Sequence, residues 1–411
     1  MNQVNQTVLA LLRGAVWGEK ITLSAEADWQ AVTREMQAQT VLSMVAGADL
    51  PEEIPETVRF QWQRAALYQG AQFYRLLHAQ DEMVELLEGH GFHPAILKGM
   101  AAAIYYPAPE TRTMGDIDFI LPREELEAGF SLLRENGYVL EAEKDVNNKH
   151  ILLAKSEAHF ELHRYFGKFD SVEKMQRMDE LVQDGLHHLD HSPCAGSSTP
   201  VLPALVNGII LLEHAAGHMQ GGIGLRHVMD WMMYVRRHLT DAFWQETFLP
   251  AIQPLGLEHF ACLLTSVCQN YLGLPEEFHW CQAVEREKCD QLLEYILFQG
   301  NFGRKEKNVG DKITLILSER KGIAGWLRLL QGSGMKHWKA AKQHACLRPF
   351  AWIYGGCRYA WLALGRKKAF SKLLAEKQAS EERNVFLQEV GVGRREKPVL
   401  WLQDRFVERK S

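Results

Sequence analysis

The alternation Asp116-Ile117-Asp118-Phe119, closing the stretch from Pro94 to Leu121, constrains this chain more than any other feature. Successive side chains of a strand point to opposite faces at a rise of about 3.3 Å per residue. Asp116 and Asp118 therefore share one face, about 6–7 Å apart, while Ile117 and Phe119 enter a core on the other. Two carboxylates on one strand face repel and need water or a cation, so folding alone does not favour them. A hard divalent ion, Mg²⁺ first and Mn²⁺ as its substitute, suits such a pair together with a substrate phosphate. Upstream, Ala95–Leu97 reads as a buried strand, Lys98-Gly99 as a turn, the residues through Tyr106 as a short helix, and the next few as a Pro-bounded loop.

Asp-x-Asp is not specific by itself. It occurs at solvated strand edges and also in metal-dependent glycosyltransferases. The residues around it narrow the choice: LKG at 97–99, YP-x-P at 106–109, R-x-x-x-DIDF from Arg112, and EELEAGFSLLRENGY from Glu124. This pattern resembles the uncharacterised nucleotidyltransferase family of the DNA polymerase β-like superfamily. It covers roughly residues 60–235, with a weaker echo in PFAWIYG near the C-terminus. The resemblance implies a strand–turn–helix that cradles nucleotide phosphates and two acids on the next strand that hold metal ions. A third acid on a later strand completes such a site, and Glu161 in HFELHRYF takes that place. His159, Glu161 and His163 alternate there with Phe160 and Leu162, which want the apolar face. The chain departs from the superfamily at the turn, where Gly99-Met100 stands in place of Gly-Ser and Lys98 precedes it. Lys98 and the amides of Gly99 and Met100 are then the expected phosphate contacts, with Arg112 near the acids to stabilise transition-state charge.

Length allows two or three domains, or one core with helical additions, and the 46% hydrophobic and 24% charged composition is that of a globular protein. No run of about 18 apolar residues suggests a transmembrane helix. The N-terminus shows neither a basic leader nor a cleavage site, and the seven scattered cysteines include no Cys-x-x-Cys pair. The expected location is cytoplasmic. Residues 1–50 read as helical, with one helix at Trp29–Gln39, and a long helix runs from about Glu56 to Gly89. The aromatics of that long helix, Phe60, Trp62, Tyr68, Phe73 and Tyr74, read as core. Tyr138–Glu141 reads as a third strand, and His150–Lys155 with Ala158–His163 as a hairpin turning at Ser156-Glu157. Residues 170–200 read as a polar, His-rich connection.

A second informative stretch is ALVNGIILLEHAAGHMQGGIGLRHVMDWMMYVRRH, residues 204–238. His214 and His218 are four apart and share a helix face, as do Arg226 and Asp230 after the Gly221-Gly222 break. The resembling family has the same order of a His-bearing helix and an Arg…Asp helix. A zinc site on His214 and His218 would want a third ligand, and Glu213 faces elsewhere. A polar seam lining the nucleotide cleft, with His163 also at the nucleotide, is the reading preferred here over a buried structural network. Helices follow at Glu258–Tyr271 and Glu276–Gln299, then a Gly- and Lys-rich linker, GNFGRKEKNVGDK.

Charge is unevenly spread: from Lys321 onward 19 Lys and Arg face 7 Asp and Glu, a net of about +12, leaving about −17 on the rest. Basic and aromatic residues interleave from Gly325 to Leu364, among them Trp326, Trp338, Trp352, Tyr354, Tyr359 and Trp361. Such a stripe could lie on a membrane surface, contact nucleic acid, or pack on its own protein. The overall charge of −5 argues against general nucleic-acid affinity.

The expected architecture is α+β, a small mixed-sheet nucleotidyltransferase core within a largely helical protein. The expected regions are 1–90 (helical), 91–190 (core), 191–300 (helices lining the cleft) and 301–411 (basic and helical). The expected activity is metal-dependent transfer of a nucleoside monophosphate from an NTP to an unidentified hydroxyl, with Asp116, Asp118 and Glu161 holding two ions. A non-catalytic nucleotide-binding protein on the same scaffold and a glycosyltransferase are the rival readings. The N-terminus lacks the βαβ pattern that binds nucleotide sugars, which weighs against the second rival.

Overall fold

The computed structural model describes residues 1–141 apart from 22 and 24–26, residues 149–301, most of 330–365, and 385–392. It divides into two compact units, Met1–Lys305 with Val390–Ser411, and Glu306–Glu389. The larger unit is α+β.

Its sheet has seven strands: β1 (Ala95–Leu97), β2 (Ile117–Ile120), β3 (Val139–Leu140), β4 (His150–Lys155), β5 (Ala158–His163), β6 (Asp190–Cys194) and β7 (Ser197–Val201). Their order is β3-β4-β5-β2-β1-β7-β6. β2 lies antiparallel to β1 and parallel to β5, and β1 runs parallel to β7. The larger unit opens with helices α1 (Gln3–Trp17), α2 (Trp29–Gln39), α3 (Leu42–Ala46) and α4 (Glu56–Glu88). Helices α5 (Gly99–Ala103), α6 (Leu126–Glu135), α7 (Val172–Leu186), α8 (Ala204–His218) and α9 (Leu225–His238) follow in chain order.

Ile117 and Phe119 of β2 and Phe160 and Leu162 of β5 form one apolar face, covered by Phe73, Leu76, Met83 and Leu87 of α4 and Leu126 and Leu133 of α6. The α4 residues recur three and four apart, which makes one stripe on a helix. Only part of α4 serves this purpose. Trp62 and Phe73 are buried, but Phe60, Tyr68 and Tyr74 are exposed, contrary to the core expectation. Their positions fall on the faces of the 33-residue helix that turn away from the stripe.

Residues 170–200 are not a loose connection. Ser171 caps α7 by accepting from Lys174 N, and β6 and β7 form a hairpin around Ala195 and Gly196, both with positive φ. β7 joins β1, and so extends the sheet beyond the small core expected. The predicted helix at 276–299 begins only at Arg286, after a short 3₁₀ turn at His279–Cys281.

α8 and α9 anchor to the strand–turn–helix. Asn207 Nδ2 donates to Ala101 O at 2.9 Å and to the Tyr105 hydroxyl at 2.7 Å. Gly208 lets the two helices approach: a Cβ there would lie 2.1 Å from the Tyr234 ring. Among the described residues no single helix is long and apolar enough to cross a membrane.

In the smaller unit a 3₁₀ turn, Ala345–Phe350, leads into the helix Ala351–Gly365, and Trp338 stacks on Tyr354 with centroids 5.4 Å apart. Trp352, Ile353 and Tyr354 are exposed. Trp326, the side chains of Tyr359 and Trp361, and most of the Gly- and Lys-rich linker lie outside the described residues.

Candidate active site

Parallel pairing of β2 with β5 sets Asp118 opposite Glu161 and Ile120 opposite His163. Side chains in register share a face, so the polar residues of both strands gather on the side away from the α4 core. Asp118, Glu161 and His163 each place a ligand-type atom within 4.8 Å of the others. Asp116 stands one residue ahead of β2, half-buried. The loop leading to it is pinned on two sides. Ser43 Oγ lies 3.0 Å from Thr113 Oγ1, and Arg226 Nη1 donates to Thr113 O at 3.1 Å.

Lys98 occupies the turn between β1 and α5 with φ 48° and ψ −109°. A non-glycine residue rarely holds that conformation, and such strain concentrates at functional sites. It aims the ammonium at the acids: Lys98 Nζ donates to Asp118 Oδ1 and lies 4.0 Å from Glu161 Oε2. His163 Nε2 donates to the same Asp118 oxygen at 2.8 Å.

These contacts separate the carboxyls. Burial alone would raise Asp118, but the Lys98 charge and the His163 hydrogen bond outweigh it and hold Asp118 well below the usual carboxylate range. Glu161 is pushed up to about 8, by burial first and then by the Asp118 charge. Asp116 is raised for the same two reasons. Burial and the Lys98 charge bring His163 down to about 3, so it is a neutral donor at pH 7.

Arg112, expected near a phosphate, is engaged by an acid of α9. It is buried, and its Nε and Nη2 clamp both oxygens of Asp230 at 2.7 Å. The Tyr106 hydroxyl donates to the same carboxylate at 2.7 Å. The expected charge stabiliser and the expected cleft acid thus pair with each other and tie α9 to the loop before β2, while the buried Arg112 Nη1 has no hydrogen-bond partner among the described residues. Arg226, one turn before Asp230 on α9, is also buried and donates to the same loop at Thr113 O. Gly99 and Met100 are buried at the start of α5. A Cβ on Gly99 would meet nothing closer than 3.7 Å, so it is Lys98 rather than Gly99 whose backbone is unusual.

His214 and His218 do share a face of α8, with their Nε2 atoms 3.1 Å apart. His227, the third residue of α9, joins them. Lys98 is near enough to both α8 rings for its charge to help lower them, after burial. Sequence reasoning missed His227 because i, i+4 spacing finds partners within one helix and not across a turn.

Lys149 was missed as well. Its ammonium sits 5.0 Å from the Phe166 ring centroid, and Lys98 Nζ lies 5.8 Å from the same ring. Burial, with Lys98 nearby, brings Lys149 down to about 8 against the pull of Glu213. The only sequence signal is a lysine directly before β4.

Paired acids on adjacent strands, beside one lysine on a strained turn and another just before β4, form a site suited to phosphate chemistry with a divalent cation. The Uncharacterised nucleotidyltransferase family matches residues 25–273, more than half of the chain. The chain belongs to that family and is an enzyme of the nucleotidyltransferase class. No curated protein matches it. A solved tRNA nucleotidyltransferase, complexed with a primer tRNA and an incoming ATP analog, is 14% identical, covering 79% of this chain and 99% of that one. The TM-score between the two is 0.20.

Proposed function

We propose that this enzyme transfers a nucleoside monophosphate from an NTP to a hydroxyl group, forming a phosphodiester to the acceptor and releasing pyrophosphate. The register pairing of Asp118 with Glu161 carries the reading, because it gathers acids from two strands beside a lysine turn.

The donor set fits a divalent ion. The Lys98 ammonium already rests on Asp118 within reach of Glu161, and so stands where a cation is wanted. Asp116, Asp118 and Glu161 would hold Mg²⁺ or Mn²⁺. When bound, the metal supplies charge compensation for the triphosphate and a lowered pKa for the acceptor hydroxyl. The chain's own groups do the rest. Lys98 and Lys149 neutralise triphosphate oxygens, and the first amides of α5, at Gly99 and Met100, face the same substrate. His163 holds Asp118 ionised by donating Nε2–H. Glu161 releases its proton before it ligates. The acceptor is a small molecule, a sugar or polyol, or a protein side chain.

Parallel incubations with α-labelled and γ-labelled NTP, Mg²⁺ and a cell extract test this. The proposal expects the α-label alone to reach an acceptor. Transfer of the γ-label would make the protein a phosphotransferase instead. Tight NTP binding with no transfer would leave a binding protein on this scaffold.

A further inference from the structure

We propose that His214, His218 and His227 form a transition-metal site, Zn²⁺ by ligand class, distinct from the carboxylate cluster. The helix spacing of four stacks His214 and His218 on one face of α8. The turn through Gly222, at φ 112°, brings the start of α9 back against that face. One nitrogen from each of the three rings then lies within 4.8 Å of the others. The ring centroids are 4.7, 5.1 and 4.3 Å apart in pairs.

The spacing of the α8 pair fits a shared ion. Zn–N bonds of about 2.0–2.1 Å at a tetrahedral angle put two nitrogens about 3.3 Å apart. The His214 and His218 Nε2 atoms are 3.1 Å apart, bridged by a proton in the metal-free protein. Exchanging that proton for the ion needs little movement of either ring. An all-imidazole set suits zinc and not magnesium, which wants oxygen.

Burial disfavours the charged form of all three rings. The charged neighbours are cations: Lys98 and Arg226 act on both α8 rings, Lys168 on His218, and Arg226 and Arg112 on His227. Three nitrogens leave a fourth position open, as in catalytic zinc sites. The surrounding positive charge selects an anion for it, hydroxide or a phosphate oxygen. His227 Nδ1 accepts from Gly224 N–H at 3.2 Å, which orients the ring. Ligation through its Nε2 would move the proton to Nδ1 and exchange the Gly224 bond for the metal bond, a small loss beside zinc affinity.

The site does not depend on the transfer reaction, and metal binding tests it without activity. The full chain, stripped with chelator, is titrated with Zn²⁺, and with Co²⁺ to read coordination from its visible absorption. We expect one tight equivalent and an intense four-coordinate cobalt spectrum, both lost in His218→Ala and His227→Ala and kept in Glu161→Gln. Circular dichroism confirms that the variants are folded, and His218, being half-buried, is the safer of the two. A wild-type protein that binds no equivalent, or one that loses it only in Glu161→Gln, overturns the proposal.

Discussion

Asp118 and Glu161 stand opposite each other across β2 and β5, and their carboxyls are driven in opposite directions. Lys98 and His163 both donate to Asp118 and keep it ionised. Glu161, beside that fixed negative charge and partly buried, keeps its proton to about pH 8. One position is therefore a standing anion, and the other becomes one only when a cation arrives.

The raised Glu161 value makes the ion-free protein lose stability as pH rises. The native state holds a proton that the unfolded chain releases near 4.5, so the loss runs from there to about 8. Denaturant titrations in chelator should show this slope in the wild type and a flatter one in Glu161→Gln. Mg²⁺ affinity should rise over the same range, because ligation displaces the proton. Equal slopes in the two proteins would place the proton elsewhere.

Asp118→Asn should not be a purely catalytic lesion. It leaves the Lys98 ammonium without its main partner at a site where the two side chains are 13% and 6% exposed. Breaking such a pair costs on the order of 3–5 kcal/mol. Lys98→Met combined with Asp118→Asn should cost less than the sum of the single changes, in thermal or denaturant unfolding. Additive costs would mean that the two are not coupled.

Arg112 should matter for stability and not for substrate. Arg112→Met leaves Asp230 buried and charged, at a cost of about 3–5 kcal/mol. Arg112→Lys loses the two-pronged contact and should also destabilise. NTP affinity of whatever remains folded should be unchanged. A large rise in KM for Arg112→Lys, with an unaltered melting temperature, would restore the phosphate role expected from the sequence.

Lys149 should bind triphosphate. Its charge is present below about pH 8 and lost above. NTP affinity measured in chelator should therefore fall as pH rises through that value. Lys149→Met should weaken binding at pH 7 by about tenfold, the equivalent of about 1.4 kcal/mol, and flatten the pH profile. Wild-type affinity in the variant would place Lys149 outside the cleft.

The sheet's centre was legible because alternation is a local signal: Asp118 and Glu161 against Phe119 and Phe160 reveal their faces in sequence. The hairpin β6/β7 was not, since DHSPC and SSTPV carry no apolar alternation and depend on β1 for a partner. Arg112 looked like a phosphate ligand because it lies four residues before Asp116. What occupies it is Asp230, more than a hundred residues away, a pairing made only by the packing of α9. Likewise the i, i+4 rule found Arg226 with Asp230, whereas the fold gives Arg226 to the Thr113 carbonyl and Asp230 to Arg112.

The most direct measurement is single-turnover pyrophosphate release by Glu161→Gln and Asp116→Asn, with NTP affinity measured separately in each. In the proposed reaction both residues would lie beside the triphosphate, and neither is the closest carboxylate partner of Lys98, which is Asp118. The account predicts a folded Glu161→Gln protein that binds NTP within a few-fold of wild type and turns over at least about 100-fold more slowly, a loss of several kcal/mol of transition-state stabilisation. Asp116→Asn should lose turnover to a similar extent. Wild-type pyrophosphate release from either variant would contradict the three-carboxylate site.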